Sequence, residues 1–523
     1  MVEVKAAHPF ALPRRHLLQA GAGLGLAALG PAALGRATAR AQEAKPRRGG
    51  TLRVAVADQS NTDTFDPTLA RSGSDYLRAK ATYNALTWLD AESNAIPDLA
   101  ESFESDERAM RWSFKLRKGA RFHDGSPVRP ADVVYSVMRH KTGPSLASSI
   151  VTNIVGVAAD GPDHVLFTLA KPEVGFPLVM SEVHMSIIKE GTTEFSKPVG
   201  TGPFRIETFQ PGLRTAGVRN PEYWDPERPY VDAFEIIPLP DMQARVNALL
   251  SGDVHLAVNL RGAGIDQVRD SSVAGLLTTP TSGFASVHMR VDMKPADNLD
   301  LRLALAHLMD RRRFVDVVLR GQAVLANDVP ILPGSPLFNT ELPQRALDPD
   351  RAKFHLRKSG IGSTPIEIYV TDAANGGIDI GQLLQREAAR AGLNVALKRV
   401  PADGYWVNVS GMHPFTNNQV TPRPSDDMNI ALFWKSDAPF NKCKFRADGF
   451  DALADEARGS TDPTKRKELY FRMQQLIHEA TPQVIPAMQS YVDGMAKTVH
   501  GITPVPVGYL GGFNGLQNAW LSA

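Results

Sequence analysis

The stretch LRKGARFHDGSPVRPADVVYSVMR, Leu116–Arg139, decides the fold. It reads as a basic strand, a tight turn and an amphipathic helix. In the turn Phe122-His123-Asp124-Gly125-Ser126-Pro127, the Asp124 side chain caps local backbone and Gly125 admits a positive φ. Pro127 bars a return into a central strand. Pro130 fits the first turn of a helix, where its missing N–H is no loss, and Val133, Val134, Val137 and Met138 are expected on one apolar face. His123 beside Asp124 could be drawn as an acid–base pair. Neighbours in a tight turn rarely converge on one substrate, and the turn already accounts for both.

Outward from this segment, Trp112–Leu116 and Val165–Leu169 alternate like antiparallel strands with one wet face. Thr51–Val56 is a strand, residues 74–90 run from helix to strand, and Gly200-Thr201-Gly202-Pro203 is a turn opening another strand. Asp241–Asp253 reads as a helix with a strand behind it at Val254–Val258. Further on, Asp300–Leu319 has the pattern of one long helix, with Arg311, Arg312 and Arg313 as a solvated face. Ile366–Val370, Ile380–Ala391 and Val395–Arg399 form a βαβ unit, and Thr461–Glu479 is another amphipathic helix. Such alternation indicates α/β lobes. A chain of 523 residues exceeds what one core supports, so two or three lobes are expected.

Residues 1–41 carry a positive start (Lys5, Arg14, Arg15), a Gly/Ala/Leu-rich run and an Ala39-Arg40-Ala41 triplet, the pattern of a cleaved export signal that leaves Gln42 first. Paired Arg14-Arg15 resembles a twin-arginine signal, although Pro13 and His16-Leu17 depart from its usual neighbours; the general export route stays open. No cysteine lies near the cleavage site, so a lipoprotein anchor is excluded. Without the leader's five basic residues and one acid, the formal charge of +2 turns slightly negative. That balance excludes an electrostatic case for nucleic acid. Cys443 is the only cysteine, so no disulfide and no cysteine metal cluster forms within one chain. The 13 histidines show no metal-binding spacing. The nucleophile elbow, the zinc-protease helix motif and the phosphate-binding Gly-Lys-Ser loop are absent.

The Leu116–Arg139 run resembles the signature of the peptide/nickel class (family 5) of extracytoplasmic solute-binding proteins of ABC importers. Pro97-Asp98-Leu99-Ala100-Glu101-Ser102, Val199-Gly200-Thr201-Gly202-Pro203-Phe204 and Asn220-Pro221-Glu222-Tyr223-Trp224 are similar to further segments of that family, as are Asn298, Arg302, Ala304, Leu305 and Asp310-Arg311. The resemblance implies a periplasmic-binding-protein-like two-lobed fold (type II, cluster C) with an inserted third domain. It places lobe I at 49–80, 200–285 and 485–523, the insert at 81–199 and lobe II at 286–484. It implies a monomeric, non-enzymatic periplasmic component that needs no cofactor. Such a component captures di- or oligopeptides by hinge closure and delivers them to permease and ATPase subunits. A nickel chelate, opine, glutathione or sugar is the alternative solute, and a secreted hydrolase the alternative class.

For a peptide, an acid should take the α-ammonium and an Arg or Lys the carboxylate. Pro422-Arg423-Pro424-Ser425-Asp426-Asp427 and Ser436-Asp437-Ala438-Pro439-Phe440-Asn441 resemble ligand-facing loops of a family subgroup. Met428 stands where that subgroup often has Trp. The resemblance implies Asp426 or Asp427, then Asp437, as ammonium ligands, and Arg423 as carboxylate ligand. Turn capping accounts for these acids equally well. Tyr405, Trp406 and Trp434 are the aromatic wall candidates, with core packing as the competing account. Asp58, Gln59 and Thr64, after the first strand, are secondary pocket candidates.

Overall fold

The computed structural model describes residues 45–522 apart from Gln59. The expected export signal and Gln59 therefore lie outside the described residues. Three sheets organise the rest. An eight-stranded sheet runs in the order Ala274–Pro280, Ala487–Ala496, Leu256–Ala257, Thr51–Val56, Ala233–Pro238, Arg214–Arg219, Phe204–Gln210, and Ala323–Leu325 also pairs with Ala487–Ala496. Thr51–Val56 is parallel to both its neighbours. Leu52, Val54, Ala55 and Val56 are fully buried, as a strand covered on both faces requires. A five-stranded sheet contains Val395–Arg399, Ile366–Val370, Phe415–Val420, Phe284–Met289 and Gln483–Val484. The βαβ unit read from the sequence is present there, with Ile366–Val370 and Val395–Arg399 parallel.

The third sheet is an antiparallel meander of Ala100–Ser105, Arg111–Leu116, His164–Leu169 and Ile154–Asp160. Its core packs Phe114, Phe167 and Phe176 edge to face, with centroids 5.2–6.0 Å apart. Burying each ring contributes roughly 1.5–3 kcal/mol. The helix that follows, Pro130–Thr142, buries Val133, Ser136, Val137 and His140. Met138 points outward, 37 % exposed, because the buried stripe follows the i, i+4, i+7 spacing from Val133 through Val137 to His140 and leaves Met138 beside it.

His123 bolts the turn to the return strand. Its Nδ1 accepts from Gly200 N (3.3 Å) and its Nε2 donates to Gly202 O (3.0 Å). Burial holds its pKa down at about 4, so the ring is a neutral structural clamp. Gly200 and Gly202 are required by close approach: a Cβ there would lie 1.9 Å from Thr82 O or 2.5 Å from Thr82 C. Asp124 accepts from Ser126 and pairs with Lys189 at 2.6 Å.

Two expectations are corrected. The long helix is broken: Leu299–Leu308 ends at Met309, whose backbone is extended, and Asp310 caps a new turn by accepting from Arg313 N (3.0 Å). Arg311 is not on a solvated face. It is 3 % exposed and pairs with Asp328 at 2.6 Å.

The chain passes between the eight- and five-stranded sheets at Thr281-Ser282-Gly283 and at Ile485-Pro486. These passages are hydrogen-bonded together: Thr281 Oγ1 donates to Gln489 O (2.8 Å), and Gln489 N donates to Gly283 O (2.7 Å). No described helix is long and apolar enough to cross a membrane.

Candidate functional site

Between the eight- and five-stranded sheets, beside the short strand Thr87–Leu89 and residues 181–184, lies a cavity of about 360 Å³. Its first wall starts just past the carboxyl ends of two parallel strands, Thr51–Val56 and Leu256–Ala257, where open α/β sheets hold ligands. Asp58 stands there and its Oδ2 accepts from Ser74 N (3.1 Å) and Ser74 Oγ (3.3 Å) at the start of helix Gly73–Thr82. A Cβ on Gly73 would lie 2.5 Å from the Tyr509 ring, so glycine lets that ring lie against the helix. Tyr76, Tyr509 and Phe513 pack edge to face.

The buried Asp493 ties two parts of this wall together. Its Oδ1 accepts from Asn259 N (2.9 Å) and its Oδ2 from Leu510 N (2.8 Å). Burial pushes its carboxyl up to about 7. Asn259, Leu510 and Phe513 all have positive φ, so the two carboxylate bonds hold strained backbone in place.

The meander side supplies Trp88, Glu182 and His184. Lys80 lies against Trp88, with Nζ 3.8 Å from the ring centroid, and donates to Ser181 O at 3.4 Å. Burial lowers its pKa to about 8. The side of the five-stranded sheet supplies an amide chain next to the passages. Gln489 Nε2 donates to Asn375 O (2.8 Å), Asn375 N to Gln419 Oε1 (3.1 Å), and Gln419 Nε2 to Gln489 Oε1 (3.3 Å).

Arg71, Arg261 and Arg423 line the cavity, against the carboxylates Asp58 and Glu182. Among the described residues none of these arginines forms an ion pair. Among the described residues the Arg423 Nε is buried without a partner. Desolvation in the wall lowers the Arg261 guanidinium from its ordinary value. Burial pushes Tyr491, which lies in the fields of Arg423 and Arg261, up to about 12.

Of the described residues expected from the sequence, Arg423 and Asp58 line this cavity, and the other described ones do not. Asp427 is 6 % exposed and spends its carboxylate on Arg466 (3.0 Å) and the Tyr470 hydroxyl (2.7 Å). Asp426 accepts from Ser335 Oγ at 3.3 Å. Asp437 is exposed. Tyr405 is fully buried and donates to Asn417 O (3.0 Å), while burial raises its phenol well above the ordinary range. Trp406 packs on it from outside, 38 % exposed. Trp434 is fully buried against Phe445. Thr64 caps backbone by accepting from Asp66 N. Met428 enters the apolar core of the meander.

Sequence reasoning missed Glu182, Arg261, Tyr491 and the amide chain. Arg261 had a signal, its place just beyond a parallel strand. Glu182 and Tyr491 had none.

The sequence profile of the bacterial extracellular solute-binding proteins, family 5 (middle part), matches residues 94–442. Di/tripeptide-binding protein 1 of Pseudomonas aeruginosa (strain UCBPP-PA14) is 25% identical over 490 residues, covering 85% of this chain and 90% of that one. The periplasmic binding protein DppA from Helicobacter pylori, solved with the peptide STSA, superposes with a TM-score of 0.77 at 22% identity, over 91% of this chain and 99% of that one. AgaA from A. tumefaciens R10, solved with agropinic acid, gives 0.76 at 21%, over the same shares.

Proposed function

The chain belongs to the bacterial extracellular solute-binding proteins of family 5, and from that premise we propose that it captures a di- or tripeptide-sized solute in this cavity and delivers it to an ABC importer. The observation that carries the reading is a set of charged side chains of both signs left open in one cavity at the passages between two sheets. Ligand pockets run from roughly 300 to 1,000 Å³, and a volume of about 360 Å³ favours a short peptide over a long one. Glu182 takes the α-ammonium, since Asp58 already accepts two bonds from Ser74. Arg423 takes the α-carboxylate in a charge-assisted pair. The amides of Asn375, Gln419 and Gln489 lie where they can serve the peptide main chain.

Closure is a rotation about Thr281–Gly283 and Ile485-Pro486, between a lobe of 49–80, 200–285 and 485–523 and a lobe of 286–484, with the insert at 81–199 moving with the first. The solute stabilises the closed form, which the permease and ATPase subunits then process. The protein acts as a monomer in the periplasm after removal of residues 1–41, exported through the twin-arginine route that Arg14-Arg15 suggests.

Purified protein starting at Gln42 tests this with a panel of di- and tripeptides. Binding should raise Tm and leave the peptide intact; at a hundredfold excess over Kd the gain is about 2.7 kcal/mol. Hydrolysis of the peptide, or a panel without any binder, would overturn the reading.

A further inference from the structure

We propose that the solute is acidic: a short peptide carrying a carboxylate beyond its C-terminus, held by Arg261 as well as Arg423. This rests on the peptide reading above and names its charge class.

The argument is one of charge balance. Three arginines line the cavity against two carboxylates, and one of those, Asp58, is already engaged by Ser74 N and Oγ. A zwitterionic peptide would neutralise Glu182 and one arginine. It would leave two guanidinium groups against the one remaining carboxylate, Asp58, a surplus of one positive charge facing a closing cavity. Removing such groups from water costs several kcal/mol each unless an anion pairs with them. Elsewhere buried arginines are engaged within the fold: Arg78 pairs with Asp63 and Asp75, Arg311 and Arg345 share Asp328, and Arg245 and Arg302 donate to backbone carbonyls.

The remaining polar groups point the same way. Among the described residues the Arg423 Nε is a buried donor without a partner. Asp58 and Tyr491 lie in the field of Arg261, yet among the described residues no carboxylate approaches its guanidinium within 4.0 Å. A wall rich in free donors and poor in free acceptors fits carboxylate oxygens better than an amine or a hydroxyl. Arg71 raises the positive potential of the same space.

Isothermal titration with Ala-Ala, Ala-Glu and Ala-Lys separates the possibilities. Ala-Glu should bind about tenfold more tightly than Ala-Ala, equivalent to about 1.4 kcal/mol, with Ala-Lys weakest. Arg261→Gln should bring the Ala-Glu to Ala-Ala ratio close to one, and Arg261→Lys should restore part of it; circular dichroism checks that both variants fold. Equal affinities in the wild type, a preference for Ala-Lys, or an Arg261→Gln ratio as large as that of the wild type would each overturn the proposal. Glutarate and a neutral sugar complete the series. Binding of glutarate with no peptide bound would sink the peptide reading and support the acidic one, whereas binding of the sugar alone would sink both.

Discussion

Two groups of arginines in this molecule face opposite situations. Arg311 and Arg345 converge on the buried carboxylate of Asp328 at 2.6 and 2.9 Å, and Arg345 also donates to Thr481 Oγ1 at 2.9 Å. The other oxygen of Asp328 accepts from Ile485 N (2.8 Å), so this cluster fixes one of the two passages between the sheets. Burial alone would raise the Asp328 pKa, but Arg311 and Arg345 outweigh it and hold the carboxyl below its ordinary value. Arg261 and Arg423 have no such partner among the described residues. The difference is between charges spent on architecture and charges left facing a cavity, the second being what the proposed solute would use.

The largest expected effect breaks the closed group. Asp328→Ala leaves two buried arginines uncompensated and should cost about 3–5 kcal/mol, read as a large fall in Tm. A Tm near that of the wild type would end the contrast. Next comes the open group. Arg423→Gln should weaken peptide binding about tenfold or more, while the Tm of the free protein holds, because the half-buried Arg423 has no ion pair to lose among the described residues. A lower Tm would move Arg423 into the architectural class.

Asp427→Asn sharpens the comparison within one loop. Losing the pairing to Arg466 should destabilise the fold by about 1–3 kcal/mol in thermal denaturation, with peptide affinity retained. Loss of affinity at unchanged Tm would instead return Asp427 to the ligand site. A smaller, pH-dependent effect belongs to Asp426, whose carboxyl burial and then the Asp427 charge push up to about 6. The folded chain holds this proton more tightly than the unfolded chain. Its contribution is therefore complete below the ordinary value of 3.8 and is lost as pH rises through about 6. Asp426→Asn should raise Tm at pH 8, change it little at pH 4, and flatten the slope between. The smallest effect is Asp437→Asn: at an exposed position it should shift stability by less than about 0.5 kcal/mol and leave binding alone.

The same contrast explains what could be read in the sequence. Strands and turns declared themselves through local chemistry, as in Asp124-Gly125 and the βαβ unit at residues 366–399. The Arg-Pro-Ser loop marks Arg423 as a candidate and the place after the first strand marks Asp58, and both line the cavity. Asp426 and Asp427 carry the same local signal as Arg423. Their roles depend on partners far along the chain, Ser335, Arg466 and Tyr470, which no spacing announces. The local pattern places Arg311 on the surface because its partner Asp328 lies beyond a helix break that Asp310 makes by capping Arg313. Tyr405 and Trp434 have the composition of a binding wall, but depth of burial, set by tertiary packing, makes them core.

The most direct test of an open, cation-rich cavity is native mass spectrometry of the protein purified from its native cells, with the released solute sequenced. The account predicts a mass increase equal to a di- or tripeptide containing Asp or Glu, lost in Arg423→Gln. A neutral sugar or a basic peptide in its place would contradict it.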